Sequence, residues 1–511
     1  MRAVIRLSPP LVLAALVLGA AHALSFAPAN LPWLQLIALA ALFSLAQRAY
    51  TPRQAAWLGF GFGLGWFGVG VSWVYVSMHT YGQMPAVLAA GATLAFCAFL
   101  ALYPALALGV AQWLSPASRA RRLLLALPAS WAASEWLRGV LFTGFPWLAS
   151  GYAHADGPLA GYAPVGGVYG LAWTAALIAG AAALLVDRRG VTSRVLSGTV
   201  VVVAALLLGG QALKNKAWSA PVGKPLSVRL VQGNVPQSIK FEDGGLERSL
   251  AAYASLLKAP RGQPADLVVL PESVLPLPIE RLPEGILQAL FAPTRDRGIA
   301  LVFGIFIEQP ESHFYNSAVG MSPSEAGAAP LQRYSKRHLV PFGEFIPPGF
   351  RWFVDLMRMP IGDQQRGARY QGPMDLAGQR IALNICYEDL FGAEIIRAWD
   401  VPERAPTMLL NLSNLAWFDD SLALPQHLQI ARLRAIETAR PMLRATNTGA
   451  TAVIDPRGRV IAQAPFNRAT TLDADVQGYE GTTPYVRFGD TPLLVWLALL
   501  LAAAAVLRRR A

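Results

Sequence analysis

The feature that most constrains this chain is where its charges are missing. Residues 1–213 and 491–511 together hold 14 Arg, no Lys and only three acids, Glu135, Asp156 and Asp187, whereas residues 214–490 hold 29 Lys/Arg and 28 Asp/Glu. The second stretch has the near-neutral balance of an ordinary water-soluble domain. The first does not: soluble domains carry roughly 25% charged residues, and a stretch this poor in charge has to place its surface against something other than water. The whole-chain values, 54% apolar, 14% charged and a net charge of +12, are an average over two different materials. They exclude a disordered chain and an ordinary soluble enzyme. Nearly all of the positive charge sits as arginines between hydrophobic runs, not as a basic face on a folded domain, so a nucleic-acid partner is not expected.

Apolar runs at 9–26, 32–47 (a short one), 55–77, 85–114, 123–141, 164–186, 192–213 and 491–507 approach or exceed the roughly 17 to 25 residues that cross a bilayer. The expected organisation is therefore a helical membrane domain of seven spans over 1–213, a water-exposed domain over 214–490, and a last span with an Arg-rich tail over 491–511. Basic loops stay cytoplasmic. Arg2 and Arg6, Arg48 and Arg53, Arg119 to Arg122, Arg188 to Arg194, and Arg508 to Arg510 fall at alternate ends of successive spans. Both termini are then expected inside and 214–490 outside. Met1 to Arg6 followed by an apolar stretch and Ala21-His22-Ala23 also reads as a cleavable signal peptide, which would leave the later spans as they are. Trp33, Trp73, Tyr75, Tyr81, Trp113, Trp136, Trp147 and Tyr152 lie near span ends, where an interfacial aromatic belt would sit. Gly61, Gly63, Gly65, Gly68 and Gly70 lie inside a span with no preceding strand, so they predict close helix packing, not a phosphate loop. Glu135 is a functional candidate by its place in an apolar span, with a structural i,i+3 pair to Arg138 as the competing reading.

Within 214–490, strands are expected at 226–234, 266–270, 299–307, 314–321, 380–386, 407–412, 442–446 and 450–454, and helices at 243–258, 283–297, 391–400 and 421–439. Such alternation predicts an α/β layer architecture with sheets covered on both faces. Three polar clusters stand where strands stop: Pro271-Glu272-Ser273; Lys336 in a run leading to Pro341-Phe342-Gly343-Glu344; and Cys386-Tyr387-Glu388-Asp389. Together they supply what thiol catalysis needs. A thiol is mostly protonated at neutral pH and needs a base, for which Glu272 is the candidate. The tetrahedral intermediate needs positive charge, which Lys336 could bring. His313 and His338 lie in loops and His427 on an expected helix, with no third group evident for a Cys–His arrangement. Cys97 reads as core, and Cys97 and Cys386 are not expected to pair. The Asn411-Leu412-Ser413 sequon at a strand end reads as chance.

These motifs resemble the Glu–Lys–Cys signature of the nitrilase superfamily, whose fold is an αββα sandwich. Such a domain between seven spans and a final one is similar to the apolipoprotein N-acyltransferase family. The likeness extends to the run Val231 to Gln237 at the start of the domain and to Thr143-Gly144-Phe145-Pro146-Trp147 in an outer loop. It implies an enzyme of the bacterial inner membrane with a periplasmic catalytic domain. Its partners would be a phospholipid acyl donor, typically phosphatidylethanolamine, a diacylglyceryl-modified apolipoprotein as acceptor, and the lipid bilayer. On the same resemblance Glu272 is the general base, Lys336 stabilises the oxyanion and Cys386 carries the acyl thioester, while Glu344, Tyr387, Glu388, Phe241 and Trp147 are supporting or substrate-binding residues. Leu270 and Phe241 depart from the family pattern, each standing where a Trp is common. A covalent intermediate predicts ping-pong kinetics, and residues 345–353 are a candidate lid or membrane-dipping arm. No cofactor and no metal are expected: the thioester conserves the donor's ester energy, and the sequence lacks a P-loop, an HExxH motif or paired-cysteine spacing. The competing functions are a membrane-tethered amidase of the nitrilase type acting on small amides, and a transporter or receptor.

Overall fold

Each of the eight apolar stretches contributes a helix: Pro9–Ala23, Pro32–Ala46, Pro52–Gly70, Ala86–Leu114, Leu127–Val140, Ala163–Val186, Ser193–Asn215 and Thr491–Arg509. The computed structural model describes residues 9–115, 118–240, 244–259, 264–309, 313–323, 331–352, 354 and 364–509. It divides into a helical unit, Met1–Tyr75 with Pro85–Lys216 and Arg487–Ala511, and a second unit, Ala217–Val486 with Val76–Met84. Among the described residues, four helices are long and apolar enough to cross a membrane: Ala86–Leu114, Pro158–Val186, Ser193–Asn215 and Thr491–Arg509. A fifth joins them if Pro52–Gly70 and Val74–Tyr81, bent by 60°, are one span. Pro9–Ala23 and Pro32–Ala46 are apolar but shorter, and Leu127–Val140 carries Glu135 and Arg138.

Small residues let the helices of this unit approach. On Pro52–Gly70 a Cβ at Gly61 or Gly65 would collide with the helix Pro9–Ala23, and one at Gly59 or Gly63 with the helix Ala86–Leu114. The i,i+4 spacing thus gives one helix two faces, each seated on a neighbour. Glu135 and Arg138, both buried, hold the loop that follows them. The Glu135 carboxylate accepts from the Ser150 backbone N–H at 2.7 Å and from the Ser150 hydroxyl. Arg138 Nη1 donates to the carbonyls of Phe145 at 2.6 Å and Trp147 at 2.7 Å. The aromatic residues divide differently from an interfacial belt. Trp33 and Trp113 are exposed, but Trp73, Trp147 and Tyr152 are buried, with the rings of Trp73 and Trp147 4.7 Å apart. Trp147 and Tyr152 lie in the loop after Arg138 and Trp73 packs on it, so their place near helix ends reflects packing.

The second unit is built on two six-stranded sheets. Its strands are β1 (Ser219–Gln232), β2 (Leu267–Val269), β3 (Ala300–Gln309), β4 (His313–Met321), β5 (Gln332–Ser335), β6 (Met374–Leu376), β7 (Gln379–Ile385), β8 (Met408–Ser413), β9 (Met442–Thr446), β10 (Ala452–Ile454), β11 (Val460–Gln463) and β12 (Thr470–Gly481). One sheet runs β12-β1-β2-β3-β4-β5 and the other β11-β10-β9-β8-β7-β6. Side chains from both, such as Val228, Val269 and Val302 from the first and Ile381, Leu410 and Leu443 from the second, share one buried core. A second core joins the other face of the first sheet, through Val268, Leu301 and Phe303, to Tyr253 and Leu257 of the helix Gly245–Lys258 and Leu290 and Phe291 of the helix Ile286–Arg295. Fully burying each such Leu, Ile, Val or Phe contributes about 1.5–3 kcal/mol, so the sandwich is specified by its apolar strands. The eight expected strands are present, but β5, β6, β11 and β12 are additional. β12 was hidden because only every second residue, Leu472, Ala474 and Val476, turns to the core. Between them Asp473 pairs with Arg229 on β1 at 2.8 Å.

Candidate active site

The parallel strands of both sheets deliver the three polar clusters. β2 lies parallel to β3, and β5 runs the same way because both β3–β4 and β4–β5 are antiparallel. Beyond β2 the chain turns through Pro271-Glu272-Ser273 against β3, and this needs Gly304. A Cβ there would lie 2.6 Å from Glu272 Cα and 2.7 Å from the Pro271 carbonyl oxygen. Glu272 is thereby held against the sheet, 6% exposed. Lys336 follows β5, and its backbone N–H donates to the Asn316 carbonyl on β4 at 2.7 Å. Cys386 follows β7 of the other sheet, at φ 53°, a backbone conformation that costs an L residue about 1–2 kcal/mol. Its carbonyl accepts from Asn411 Nδ2 of β8 at 3.1 Å.

The side chains converge on one ammonium. Lys336 Nζ lies 2.7 Å from Glu344 Oε1 and 3.6 Å from Glu272 Oε1. Asn316 Nδ2 donates to Glu272 Oε1 at 2.6 Å and to Glu344 Oε1 at 3.3 Å. Glu272 Oε2 accepts from the Asn414 backbone N–H, just beyond β8, at 2.8 Å. Burial alone would lower the Lys336 pKa, but the charges of Glu344 and Glu272 outweigh it and the net shift is upward, so this lysine stays an ammonium. Burial pushes the Cys386 thiol well above its ordinary range; Glu272 adds to the rise, Lys336 opposes it, and Glu344 and Asp389 raise it further. The resting group is a thiol within electrostatic reach of a carboxylate that can take its proton.

Glu388 serves a different purpose. Its Oε1 accepts from the backbone N–H groups of Arg337 at 2.7 Å and His338 at 3.1 Å. Its Oε2 accepts from Ile385 N–H at 2.7 Å and the Tyr334 hydroxyl at 2.9 Å. One buried carboxylate thus staples the segment after Lys336 to the residue before Cys386. Burial raises its pKa, against the pull of these donors. Tyr387 is buried, its ring 5.2 Å from Phe391 and 5.7 Å from His338. Trp147 belongs to the helical unit, not to the unit that holds Cys386, and Phe241 lies outside the described residues.

Sequence reasoning missed several groups here. Asn316 and Asn414 hold Glu272, and Asn447 Nδ2 ties Asn414 Oδ1 at 3.1 Å and the Val235 carbonyl at 2.7 Å. The run Val231 to Gln237 is therefore a strap across the site, and Gln237 Oε1 accepts from Asn414 Nδ2 at 2.9 Å. A second ring of charge, Asp389 with His427 at 2.7 Å and Arg444 at 2.6 Å, is wholly buried. An asparagine or arginine within an otherwise apolar strand was the available signal, because a buried polar group needs a partner.

Comparison with known proteins covers both units. Residues 18–181 match the apolipoprotein N-acyltransferase N-terminal domain family and residues 227–485 the carbon-nitrogen hydrolase family. The apolipoprotein N-acyltransferase of Ralstonia nicotianae is 50% identical over 99% of this chain and 95% of its own length. This chain belongs to the apolipoprotein N-acyltransferase family. The family's protein from Bordetella bronchiseptica is 49% identical over 98% of this chain and 97% of its own length, and that from Nitrosomonas europaea 43% over 97% of each. A solved carbon-nitrogen hydrolase from Helicobacter pylori G27 aligns at 17% identity over 49% of this chain and 89% of its own, with a TM-score of 0.37. The two-sheet unit has the nitrilase-like carbon-nitrogen hydrolase fold. Family membership extends through the apolar helices, so a small-amide hydrolase, which needs only the second unit, is not favoured.

Proposed function

We propose that this protein is an apolipoprotein N-acyltransferase of the bacterial inner membrane, working through a Glu272–Lys336–Cys386 triad. What supports the assignment most directly is the meeting of Lys336 with Glu272 at 3.6 Å beside a thiol that both charges act on. In the first half-reaction Glu272 takes the Sγ proton as sulfur attacks an ester carbonyl of a phospholipid, such as phosphatidylethanolamine. The Lys336 ammonium stabilises the oxyanion. The carbonyl–oxygen bond then breaks, Glu272 returns the proton to the departing lysophospholipid oxygen, and Cys386 holds the acyl group as a thioester. In the second half-reaction the α-amino group of a diacylglyceryl-cysteine attacks the thioester, Glu272 takes a proton from nitrogen, and that proton restores the thiol as the amide leaves. Energy passes from ester to thioester to amide, so one site serves two lipids in turn.

The membrane arrangement follows from the same chemistry. Both substrates keep their acyl chains in the bilayer, and drawing a chain into water costs about 0.8 kcal/mol per CH₂. We read the eight helices as eight spans, seven before residue 214 and one after 490, with the catalytic unit periplasmic and both termini cytoplasmic; the arginine-rich loops support this orientation. The segment 345–353 serves as an arm at the bilayer: Phe350 and Trp352 are exposed at 46% and 64%. Phe353 lies outside the described residues.

Intact-protein mass after incubation with phosphatidylethanolamine tests the assignment. Native protein should gain one acyl increment that neutral hydroxylamine removes, and Cys386→Ala should gain none. An increment that survives in Cys386→Ala would overturn the thioester.

A further inference from the structure

The Asn411-Leu412-Ser413 pattern, which reads as chance in the sequence, has a physical reason in the fold. All three residues belong to β8, and residues two apart on a strand share a face. Leu410 and Leu412 point into the core between the sheets, so Asn411 and Ser413 lie together on the other face. Asn384 of β7 and Arg444 of β9 stand beside Asn411 in register. Asn411 and Ser413 are fully buried, where a polar group is costly unless every hydrogen bond is made.

Asn411 makes them all. Its Nδ2 donates to Asn384 Oδ1 at 2.6 Å and to the Cys386 carbonyl at 3.1 Å, and its Oδ1 accepts from Ser413 Oγ at 2.6 Å. A backbone carbonyl can only accept, so the amide nitrogen has to face Cys386, and the Ser413 hydroxyl fixes the amide's other end. Cys386 needs such a hold. It leaves β7 at φ 53°, an unfavourable conformation for an L residue that persists only where its surroundings enforce it. On the preceding side Glu388 Oε2 accepts from the Ile385 N–H at 2.7 Å. On the following side Asn411 holds the carbonyl, and because the peptide group is planar this fixes the whole Cys386–Tyr387 unit. The Cα that carries the thiol is thus gripped between a carboxylate and an amide.

We propose that Asn411, oriented by Ser413, is a positioning residue for acyl transfer: by holding the Cys386 carbonyl it aims Sγ at the acyl carbonyl carbon. This rests on the nucleophilic role given to Cys386 above. Asn411 acts through Cys386 and exchanges no proton. Its loss lets the Cys386–Tyr387 peptide rotate and the sulfur swing with it. Attack on a carbonyl tolerates little such movement, since a misplacement of about 1 Å costs on the order of 10²-fold in rate.

The test compares full-length native protein with Asn411→Leu, which keeps the shape and removes the amide, and with Ser413→Ala, which leaves Asn411 in place but frees its orientation. Single-turnover acyl-enzyme formation from phosphatidylethanolamine vesicles is read by intact mass across donor concentrations. Alkylation of Cys386 by iodoacetamide is read in parallel by peptide mass. At saturating donor Asn411→Leu should acylate about 10²-fold more slowly, and Ser413→Ala, lacking one neutral hydrogen bond, about three- to tenfold more slowly. The donor concentration for half-maximal rate should stay native in both. Alkylation should stay within about twofold of native, because a small reagent that approaches freely does not need the sulfur aimed. Acylation at the native rate in either variant would overturn the proposal. So would acylation and alkylation falling together, which would make Asn411 a general support of the fold. Where Asn411→Leu does not fold, Ser413→Ala decides alone. Failure of native protein to form any acyl-enzyme, or acylation of Cys386→Ala, would overturn the triad itself, whereas native acylation with unaffected variants removes only Asn411.

Discussion

Two buried charge clusters act on Cys386, and they are built to opposite rules. Asp389, His427 and Arg444 form a closed ring. Asp389 Oδ1 accepts from His427 Nε2 at 2.7 Å, Asp389 Oδ2 from Arg444 Nη1 at 2.6 Å, and His427 Nδ1 from Arg444 Nη2 at 2.9 Å. Both carboxylate oxygens and both ring nitrogens are thereby engaged. Glu272, Glu344 and Lys336 are buried too, yet Asn316 Oδ1 has no partner and two carboxylates share one close ammonium. Burial and charge are common to both clusters. Spare hydrogen-bonding capacity is what separates a site that can bind and move a proton from a support that holds a backbone in place.

The contrast breaks most sharply at Glu272. Glu272→Gln keeps the shape and an acceptor oxygen but cannot take a proton. Acyl-enzyme formation should fall by about 10²–10⁴-fold, the usual contribution of a positioned general base, as read by intact mass under single-turnover conditions. Retention of the native rate would assign the base elsewhere. On the proposed mechanism Lys336→Met removes the charge assigned to the developing oxyanion and should lower the same rate by about 10²–10³-fold. The loss should persist at saturating phospholipid, because it belongs to the transition state; a loss confined to KM would make Lys336 a binding group only.

These two clusters were not equally legible in the sequence. Glu272, Lys336 and Cys386 each follow a strand whose apolar run can be read directly, or stand in a polar run between two such strands, and residues in those places are easily singled out. Asn414 and Asp389 also stand just past strands, but nothing in the sequence joins them to Glu272 or to His427 and Arg444. Their partners lie far away in sequence: Asn414 is 142 residues from Glu272 and Arg444 is 55 from Asp389. No spacing rule connects Asn414 to Glu272 across the two sheets, or Asp389 beyond β7 to Arg444 on β9 and His427 on the helix Ala423–Thr438. Likewise β12 escaped notice because Asp473 and Asp475 stand between its inward-facing Leu472, Ala474 and Val476, so it lacks the continuous apolar run of the buried strands, and Asp473 pairs Arg229. In the helical unit the eight apolar stretches were plain, but composition could not distinguish a loop tryptophan at a bilayer surface from one buried like Trp147.

The closed ring should reveal itself in stability, not in rate constants at the carboxylate. Arg444→Met leaves Asp389 and a histidine nitrogen buried without their charged donor. Removing one member of a buried ion pair costs about 3–5 kcal/mol, so thermal unfolding should shift markedly downward. A variant with native stability would show that the ring is dispensable support.

His427 offers the subtlest discrimination, because the ring dictates its protonation. Nε2 donates to Asp389 and Nδ1 accepts from Arg444, so the ring holds a neutral imidazole. Burial lowers its pKa from 6.5, the attraction of Asp389 opposing and Arg444 reinforcing the shift. In the window between that lowered value and 6.5 the unfolded chain binds a proton that the folded protein refuses. Stability therefore rises with pH there, and is lost as pH falls below 6.5, by up to about 1.4 kcal/mol per pH unit. His427→Gln deletes the titration. The gap in stability between native and variant should narrow as thermal unfolding is followed from pH 7 to 5. If the gap stays constant, the imidazole is not being held neutral, and the ring carries an additional positive charge beside Cys386 that its hydrogen-bond pattern does not accommodate.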